Sequence, residues 1–506
     1  MAEGGLDLLL INPGGRERVY QQLGRELTAI EPPLWCRLIA GYARDRGLTV
    51  EILDSEALAL GPAQVGRAVA ERRPVLAVMV AFGHQPSAST QTMVAAGEAC
   101  RAIKAACPGQ PLLIAGGHPS ALPERTLAEE AVDFVCKGEG PVTVVQLVQA
   151  LKGPGPDLAA IEGLVWRRAP GGPAVINRAA PLIADLDADL HGEVWDLLPM
   201  ARYRAHNWQC FGDLAARQPY ASIYTSLGCP YSCSFCCINA PFESNRYRMR
   251  APERVVAEVD HLHRRYGVAT FKIVDEMFVL NERHVRAICE GLIGLGYAER
   301  LNLWAYARVD TVRPALLGLL RRAGFRWLAL GIESGSAHVR DGADKRLRQD
   351  DIVAVVRRIQ DAGIAVIGNY IFGLPDDTPQ TMRATLDLAK ELNCEFANFY
   401  SAMAYPGSRL HALAERNGWP LPEGWSGYSQ HSYDCRPLPT GTMTAAEVLR
   451  FRDGAFHEYF ANPRYLDMLA QRFGAEARAH VEAMAAHKLR RWLLEPCIEP
   501  VLEATA

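Results

Sequence analysis

The sequence predicts an α/β protein: a doubly wound parallel sheet, then a partial (β/α)6 barrel, then a helical C-terminal region. Three observations predict it. Residues 6–150 alternate short apolar runs with amphipathic helical patterns, and residues 222–416 start the same alternation afresh. Four cysteines crowd into 229–237, directly after the first strand of that second series.

In the first unit, 1–152, apolar runs lie at 6–12, 49–54, 75–81, 111–115 and 132–136. Helical patterns fall at about 33–47, 62–72, 89–107, 120–130 and 140–152. Short apolar runs flanked by Gly or Pro read as buried parallel strands. Strands and helices in strict alternation imply an open sheet of flavodoxin type, because right-handed crossovers leave few other topologies. Ligands of such sheets bind at the carboxyl ends of the strands. Those ends read Asn12-Pro13-Gly14-Gly15, Ala81-Phe82-Gly83-His84, Gly116-Gly117-His118-Pro119 and Lys137-Gly138-Glu139-Gly140-Pro141. Each glycine pair turns the chain, and the ends together let a large flat ligand approach the backbone.

Residues 153–218 change character. Pro154, Pro156, Pro170 and Pro173 punctuate a hairpin expected at 163–168 and 174–178, turning at Gly171-Gly172. The stretch reads as an ordered linker carrying that hairpin. The third unit, 219–440, has strands expected at 222–227, 269–275, 301–308, 326–333, 365–372 and 395–401. Its helices fall near 252–266, 281–295, 312–323, 349–362, 378–392 and 407–416. βα units in an unbroken row imply a parallel barrel, partial or full, with its chemistry at the carboxyl ends of the strands. Residues 417–440 read as loop, and 441–506 as a helical region.

With 49% hydrophobic residues among 506, the chain has ample material for folded cores. Its 54 Lys and Arg against 57 Asp and Glu leave a formal charge of −3. That balance argues against a general nucleic-acid binder and against a polybasic membrane-surface protein. No apolar run suits a membrane span. The opening MAEGGLDLLLINPGG lacks the basic flank and long apolar core of a signal peptide. A cytoplasmic location is expected, where structural disulfides are disfavoured.

Yet there are 13 cysteines. Those scattered singly read as small buried hydrophobes. The group Cys229, Cys233, Cys236 and Cys237 needs another reading. Zinc sites usually pair two C-x2-C or His/Cys knuckles. No second knuckle follows the C-x3-C-x2-C spacing, although His261 and His263 stand downstream. A four-iron cluster wants one terminal ligand per iron. Three close thiolates would leave one iron open for chemistry. This reading is favoured over zinc or a reactive-thiol loop, with Cys229, Cys233 and Cys236 as ligands and Cys237 unassigned.

That motif resembles the signature of the radical S-adenosylmethionine (SAM) enzymes. Later segments are similar to the family's SAM-binding motifs. They are Val274-Asp275-Glu276, Ala307-Arg308-Val309-Asp310, Gly331-Ile332-Glu333-Ser334-Gly335 and Gly368 to Pro375, which includes Ile371. The resemblance implies a 4Fe–4S cluster on the three cysteines, and SAM contacts from Phe235, Asp275, Glu276, Arg308, Glu333, Ser334 and Ile371. The order of domains resembles the cobalamin (B12)-binding radical SAM family, over about residues 6–440. That family pairs a flavodoxin-like doubly wound cobalamin-binding domain with a radical SAM core barrel. The implied cobalamin contacts are Asn12, Pro13, Phe82, Gly83, His84, Gly116, Gly117, His118 and Glu139. The family's D-x-H-x-x-G element, which supplies a histidine beneath cobalt, is absent, and Asn12-Pro13-Gly14-Gly15 stands there instead. His84 and His118 are the histidines left at strand ends. A cobalt face without a protein nitrogen suits methyl transfer, since axial ligation tunes cofactor potential.

The resemblance implies a cobalamin-dependent methyltransferase. A 5′-deoxyadenosyl radical would take hydrogen from a carbon of a small molecule, and methylcobalamin would deliver the methyl group. The expected partner is an external one-electron reductant of flavodoxin or ferredoxin type, with no nucleic acid and no membrane. Two alternatives differ in chemistry: a B12-binding radical SAM oxidoreductase or cyclase, and a non-catalytic corrinoid or iron–sulfur sensor or electron carrier. Tyr400, Tyr405, Trp419, Trp425, Tyr428, His431 and Tyr433 either cover the barrel mouth or pack a structural cap.

Overall fold

The computed structural model describes residues 5–495, apart from 84 and 86. The first sheet contains β1 (Leu8–Asn12), β2 (Val50–Asp54), β3 (Leu76–Val80), β4 (Leu112–Ala115), β5 (Phe134–Cys136), β6 (Leu164–Arg167) and β7 (Ala174–Ile176). Their order is β2-β1-β3-β4-β5-β6-β7, with β1 to β5 parallel and β6 and β7 antiparallel. The order β2-β1-β3-β4-β5 is the doubly wound one the sequence predicts. The linker hairpin is not free-standing. It extends the sheet, because β6 pairs with the otherwise open edge of β5 and removes a row of unpaired backbone groups.

The second sheet contains β8 (Tyr220–Ile223), β11 (Thr270–Ile273), β12 (Asn302–Ala307), β13 (Phe325–Glu333), β14 (Ala365–Phe372) and β15 (Phe396–Ser401). These six strands run in the order β15-β14-β13-β12-β11-β8, all parallel. Among the described residues β8 and β15 do not pair, so the barrel is partial. The strand expected at 222–227 breaks in two. The Asp275 carboxylate accepts from Thr225 N at 2.6 Å and pulls the chain out of the ladder. The remaining piece, β9 (Ser226–Leu227), pairs antiparallel with β10 (Arg248–Met249) across the cysteine loop.

The amino ends of the barrel strands are plugged by the linker. Trp208 packs edge-on against Trp304 and Trp327, with centroids 5.2 and 5.3 Å away. Gln209 Nε2 donates to Phe271 O and Asn302 O, both at 3.0 Å. Phe473, on the helix Pro463–Phe473, stacks on Trp327 at 5.6 Å and seals the same end. The helices Ala445–Phe460 and Pro463–Phe473 dock through Tyr459 and Tyr465, whose hydroxyls donate to Cys394 O at 2.6 Å and Glu395 O at 3.1 Å. With one end filled, space is left at the carboxyl ends of the strands.

Buried charges fix the two sheets to each other. Arg37, on the helix Leu34–Arg44 of the first unit, reaches Glu258 of the barrel at 3.3 Å and Ser222 O at 2.9 Å. Arg250 reaches the same Glu258 carboxylate at 2.5 Å. Lys272 in β11 pairs with Glu31 at 3.0 Å, and both are buried. Such ties demand good geometry, since an unpaired charge in the interior is strongly destabilising.

Candidate functional site

The cysteine loop opens at Gly228, whose φ of +85° suits glycine, and where a Cβ would meet Arg246 O at 2.1 Å. Only a residue without a side chain lets the loop close there. The loop is then held from two sides: Ser234 N donates to Ala343 O at 3.2 Å, and Leu410 N donates to Ser234 O at 2.8 Å. This folding brings Cys229, Cys233, Cys236 and Cys237 to one cavity of about 330 Å³.

The cavity is shared by the two sheets. Leu34, Trp35, Phe82, Gly83 and Gly117 line it from the first unit; the cysteines and β11 to β15 line it from the barrel. Trp35 stacks on Phe82 at 4.3 Å and lies 6.2 Å from Phe242 of the cysteine loop, an aromatic seam between the units. On the far side, Gln91 of the first unit donates to Tyr405 OH at 3.3 Å. Gln430 holds Ser401 N at 2.9 Å and Ser401 O at 2.8 Å.

Charges meet the thiols from the barrel strands. Arg308 is held bidentately by Asp310 at 2.9 and 3.0 Å and lies 3.9 Å above the Tyr231 ring. Its Nη1 lies 3.8 Å from Cys233 Sγ. Lys345 pairs with Glu333 at 2.9 Å, both buried. Glu333 adopts φ +66° at a register break in β13. Strain of that kind in a non-glycine residue marks sites where a side chain must be re-aimed. Gly331 makes room for the pair: a Cβ there would lie 2.6 Å from Glu333 Oε1 and 2.8 Å from Lys345 Nζ.

Asp275 and Glu276 divide their work. Asp275 lines the cavity, but its oxygens are taken by Thr225 N, Thr225 Oγ1 and Ser226 Oγ. Among the described residues, Glu276 Oε2 is buried with no hydrogen-bond partner. Burial raises the Glu276 carboxyl to about 8, and the Asp275 charge pushes the same way. A lone buried carboxyl oxygen costs about 1–3 kcal/mol until a donor meets it. An ammonium group is the fitting donor.

Of the expected contacts, Cys229, Cys233, Cys236, Phe235, Asp275, Glu276, Arg308, Glu333, Ile371, Phe82, Gly83 and Gly117 stand on the cavity wall. Others stand off it. Ser334 is buried behind β13, with its hydroxyl 3.1 Å from Thr385 Oγ1. Asn12 donates to Asp54 at 2.8 Å, and Pro13 is buried beside it. A Cβ on Gly116 would strike Ala81 O at 2.3 Å, so this glycine serves strand packing. Glu139 accepts from Ile183 N at 2.9 Å and pairs with Arg248, tying the first unit to β10. His118 lies under Trp425, ring centroids 4.3 Å apart, with Nδ1 3.2 Å from Thr90 Oγ1. Burial lowers its imidazole to about 3. His84 lies outside the described residues.

Lys345, Trp35, Tyr306 and Asn369 also stand on the wall, beyond the contacts expected from the sequence. Tyr306 and Asn369 had a signal. Each precedes a recognised site residue, Arg308 and Ile371, by two positions, and residues two apart on a strand share a face. Of the aromatic loop residues, Tyr400 and Tyr405 line the cavity, while Trp425 packs on His118.

The residues present fit the implied cofactors. A four-iron cluster takes one thiolate per iron, so its ligands stand around a volume rather than a point. Among the described residues no three His, Cys, Asp or Glu side chains are grouped to hold a single metal ion, and the thiols stand around a cavity. The unpartnered Glu276 Oε2 would suit the amino group of SAM, and Gly83 and Gly117 on the wall would leave room for a flat macrocycle.

Comparison with known proteins agrees. Residues 223–389 match the Radical SAM superfamily, and residues 21–148 match the B12 binding domain. Over 462 residues the chain is 28% identical to an uncharacterized methyltransferase of Pyrococcus horikoshii, covering 91% of this chain and 94% of that one. It is 27% identical over 412 residues to an anaerobic magnesium-protoporphyrin IX monomethyl ester cyclase of Rubrivivax gelatinosus, covering 80% and 69%. The fold matches TsrM of Kitasatospora setae, a radical SAM methyltransferase with cobalamin and a 4Fe–4S cluster bound. The TM-score is 0.67 at 20% identity, covering 95% of this chain and 100% of that one. The cofactors are therefore a 4Fe–4S cluster, SAM and cobalamin. The chain belongs to the cobalamin (B12)-binding radical SAM family.

Proposed function

We propose that this enzyme is a cobalamin-dependent methyltransferase that places a methyl group on a carbon of a small molecule. The observation that carries the reading is the shared cavity, which sets the cysteine loop and the ligand-binding strand ends of the first sheet on one wall. A sensor or electron carrier needs no such convergence. The Pyrococcus relative and TsrM, both named methyltransferases, support the reaction class.

When bound, the cluster and SAM supply hydrogen-atom abstraction, and cobalamin supplies the methyl group. The chain's own part is to bind, orient and dry the site. Cys229, Cys233 and Cys236 would hold the cluster. Glu276 would release its proton and take the SAM ammonium on Oε2. The Glu333–Lys345 pair and Arg308 set the charge beside Cys233, and Phe82, Gly83 and Gly117 would receive cobalamin. Tyr231, Tyr306, Tyr400 and Tyr405 wall the space against water.

A second reading, a cyclase without methyl transfer, is favoured by the Rubrivivax relative. Anaerobic turnover of the reconstituted enzyme with candidate substrates separates the two. Methyl transfer requires S-adenosylhomocysteine, 5′-deoxyadenosine and a product in which a methyl group has replaced one hydrogen. Product and 5′-deoxyadenosine without S-adenosylhomocysteine would establish the cyclase.

A further inference from the structure

A second cavity, of about 530 Å³, lies at the C-terminal region and shares no lining residue with the first. Its walls come from the helix Ala445–Phe460, the end of the helix Ala475–Ala486, the segment 487–495, and the contacts Leu23 and His431.

The deep wall is built on two buried arginines, Arg452 and Arg491, exposed to 4% and 3%. Both lean on one carboxylate. Arg452 Nη1 reaches Asp453 Oδ1 at 2.7 Å, and Arg491 reaches both Asp453 oxygens at 2.9 Å. Their remaining contacts are neutral. Arg452 Nε donates to Phe399 O at 2.8 Å, Arg491 Nη1 donates to Ser432 O at 2.9 Å, and Arg452 Nη2 lies 3.2 Å from His431 Nε2. That imidazole nitrogen must accept, so His431 is neutral; burial and the two arginines hold its pKa well below the ordinary value. Among the described residues, one carboxylate stands against these two guanidiniums, a buried surplus of positive charge.

The rim adds to it. Arg450 and Lys488 are exposed on the lip, and Arg490 is matched by Glu495 at 2.6 Å. The carboxyl end of the helix Ala475–Ala486 offsets about half a charge, too little to cancel the surplus. Burying unmatched charge is costly. Every nitrogen of Arg452 and Arg491 already has a protein partner, so the buried pair supplies the field. The exposed Arg450 and Lys488 supply donors for a planar or tetrahedral oxyanion.

We propose that this cavity binds a multiply charged small-molecule oxyanion, through phosphate or carboxylate groups. The test is calorimetric titration of the cofactor-loaded enzyme, with pyrophosphate and separately with citrate, at ionic strength held constant with sodium chloride. The expected result is saturable one-site binding of at least one probe. It should weaken tenfold or more in the Arg450→Ala/Lys488→Ala double variant and stay unchanged in Arg264→Ala, an exposed arginine that does not line the cavity. Pyrophosphate alone binding assigns a phosphate ligand, and citrate alone a carboxylate one. No saturable binding of either probe, or binding untouched by the double variant, would overturn the proposal.

Discussion

Glu276 carries its proton against its ordinary tendency, and two predictions follow from that one carboxyl. Its pKa rises from an ordinary 4.5 to about 8 through burial. The folded chain therefore holds this proton more tightly than the unfolded chain does. Glu276 then lowers stability progressively as pH rises from about 4.5 through 8. Glu276→Gln removes that loss, so the thermal midpoint of the variant should gain on the parent across that window and not below it. In the proposed role of Glu276, the SAM ammonium would bind the carboxylate form. Parent affinity for SAM should rise about tenfold per pH unit approaching 8, while the Gln variant binds at least tenfold more weakly at pH 8 and shows a flat profile. Titration calorimetry reads both. For the thiols, Ala at Cys229, Cys233 or Cys236 should abolish the iron and visible absorption of the reconstituted cluster. Cys237→Ala should retain both, since Cys237 packs with Met403, Tyr405 and Cys435. The three proposed ligands were legible because their spacing is local. Lys345 was not, because it reaches the site from a segment between helices where no period marks it. Nor could the sequence tell Asp275 from Glu276: which oxygen is already spent depends on Thr225 and Ser226, some 50 positions earlier.

At the scale of elements, the strand ends do the aiming. β13 finishes on a register break that turns Glu333 toward Lys345, and Gly331 keeps the space between them open. Gly331→Ala should force the pair apart, at about 1–3 kcal/mol as an overpacking change. A denaturation midpoint reads the cost, and SAM affinity should fall with it. The break in the first barrel strand is a second case. Residues 222–227 read as one strand by composition, yet Asp275 captures Thr225 and frees Ser226 to pair with Met249. Periodicity located the strands, because burial on a sheet dictates it. Where a strand yields to a side-chain acceptor is a tertiary fact. The hairpin at 164–176 was legible as a hairpin, but its pairing with β5 depends on an open edge that only the assembled sheet presents.

The whole molecule joins two sheets so that the carboxyl ends of their parallel strands face one cavity, and buried ions hold that alignment. Glu258 serves both Arg37 and Arg250 at no more than 1% side-chain exposure. Glu258→Gln should strip a charge from two buried guanidiniums and cost about 3–5 kcal/mol in unfolding free energy. The same measurement on a surface pair such as Arg264–Asp260 should show less than about 1 kcal/mol. The order of the two sheets was readable from alternation alone. Their mutual placement was not, since Arg37 and Glu258 lie 221 positions apart. If cluster, SAM and cobalamin work in one space to move a methyl group, the first transfer can be followed without any substrate. The reduced, reconstituted enzyme is mixed anaerobically with methyl-labelled SAM, and the label is followed. The expected outcome is label on the bound cobalamin with an equal amount of S-adenosylhomocysteine. Accumulation of 5′-deoxyadenosine with no label on cobalamin and no S-adenosylhomocysteine would contradict it.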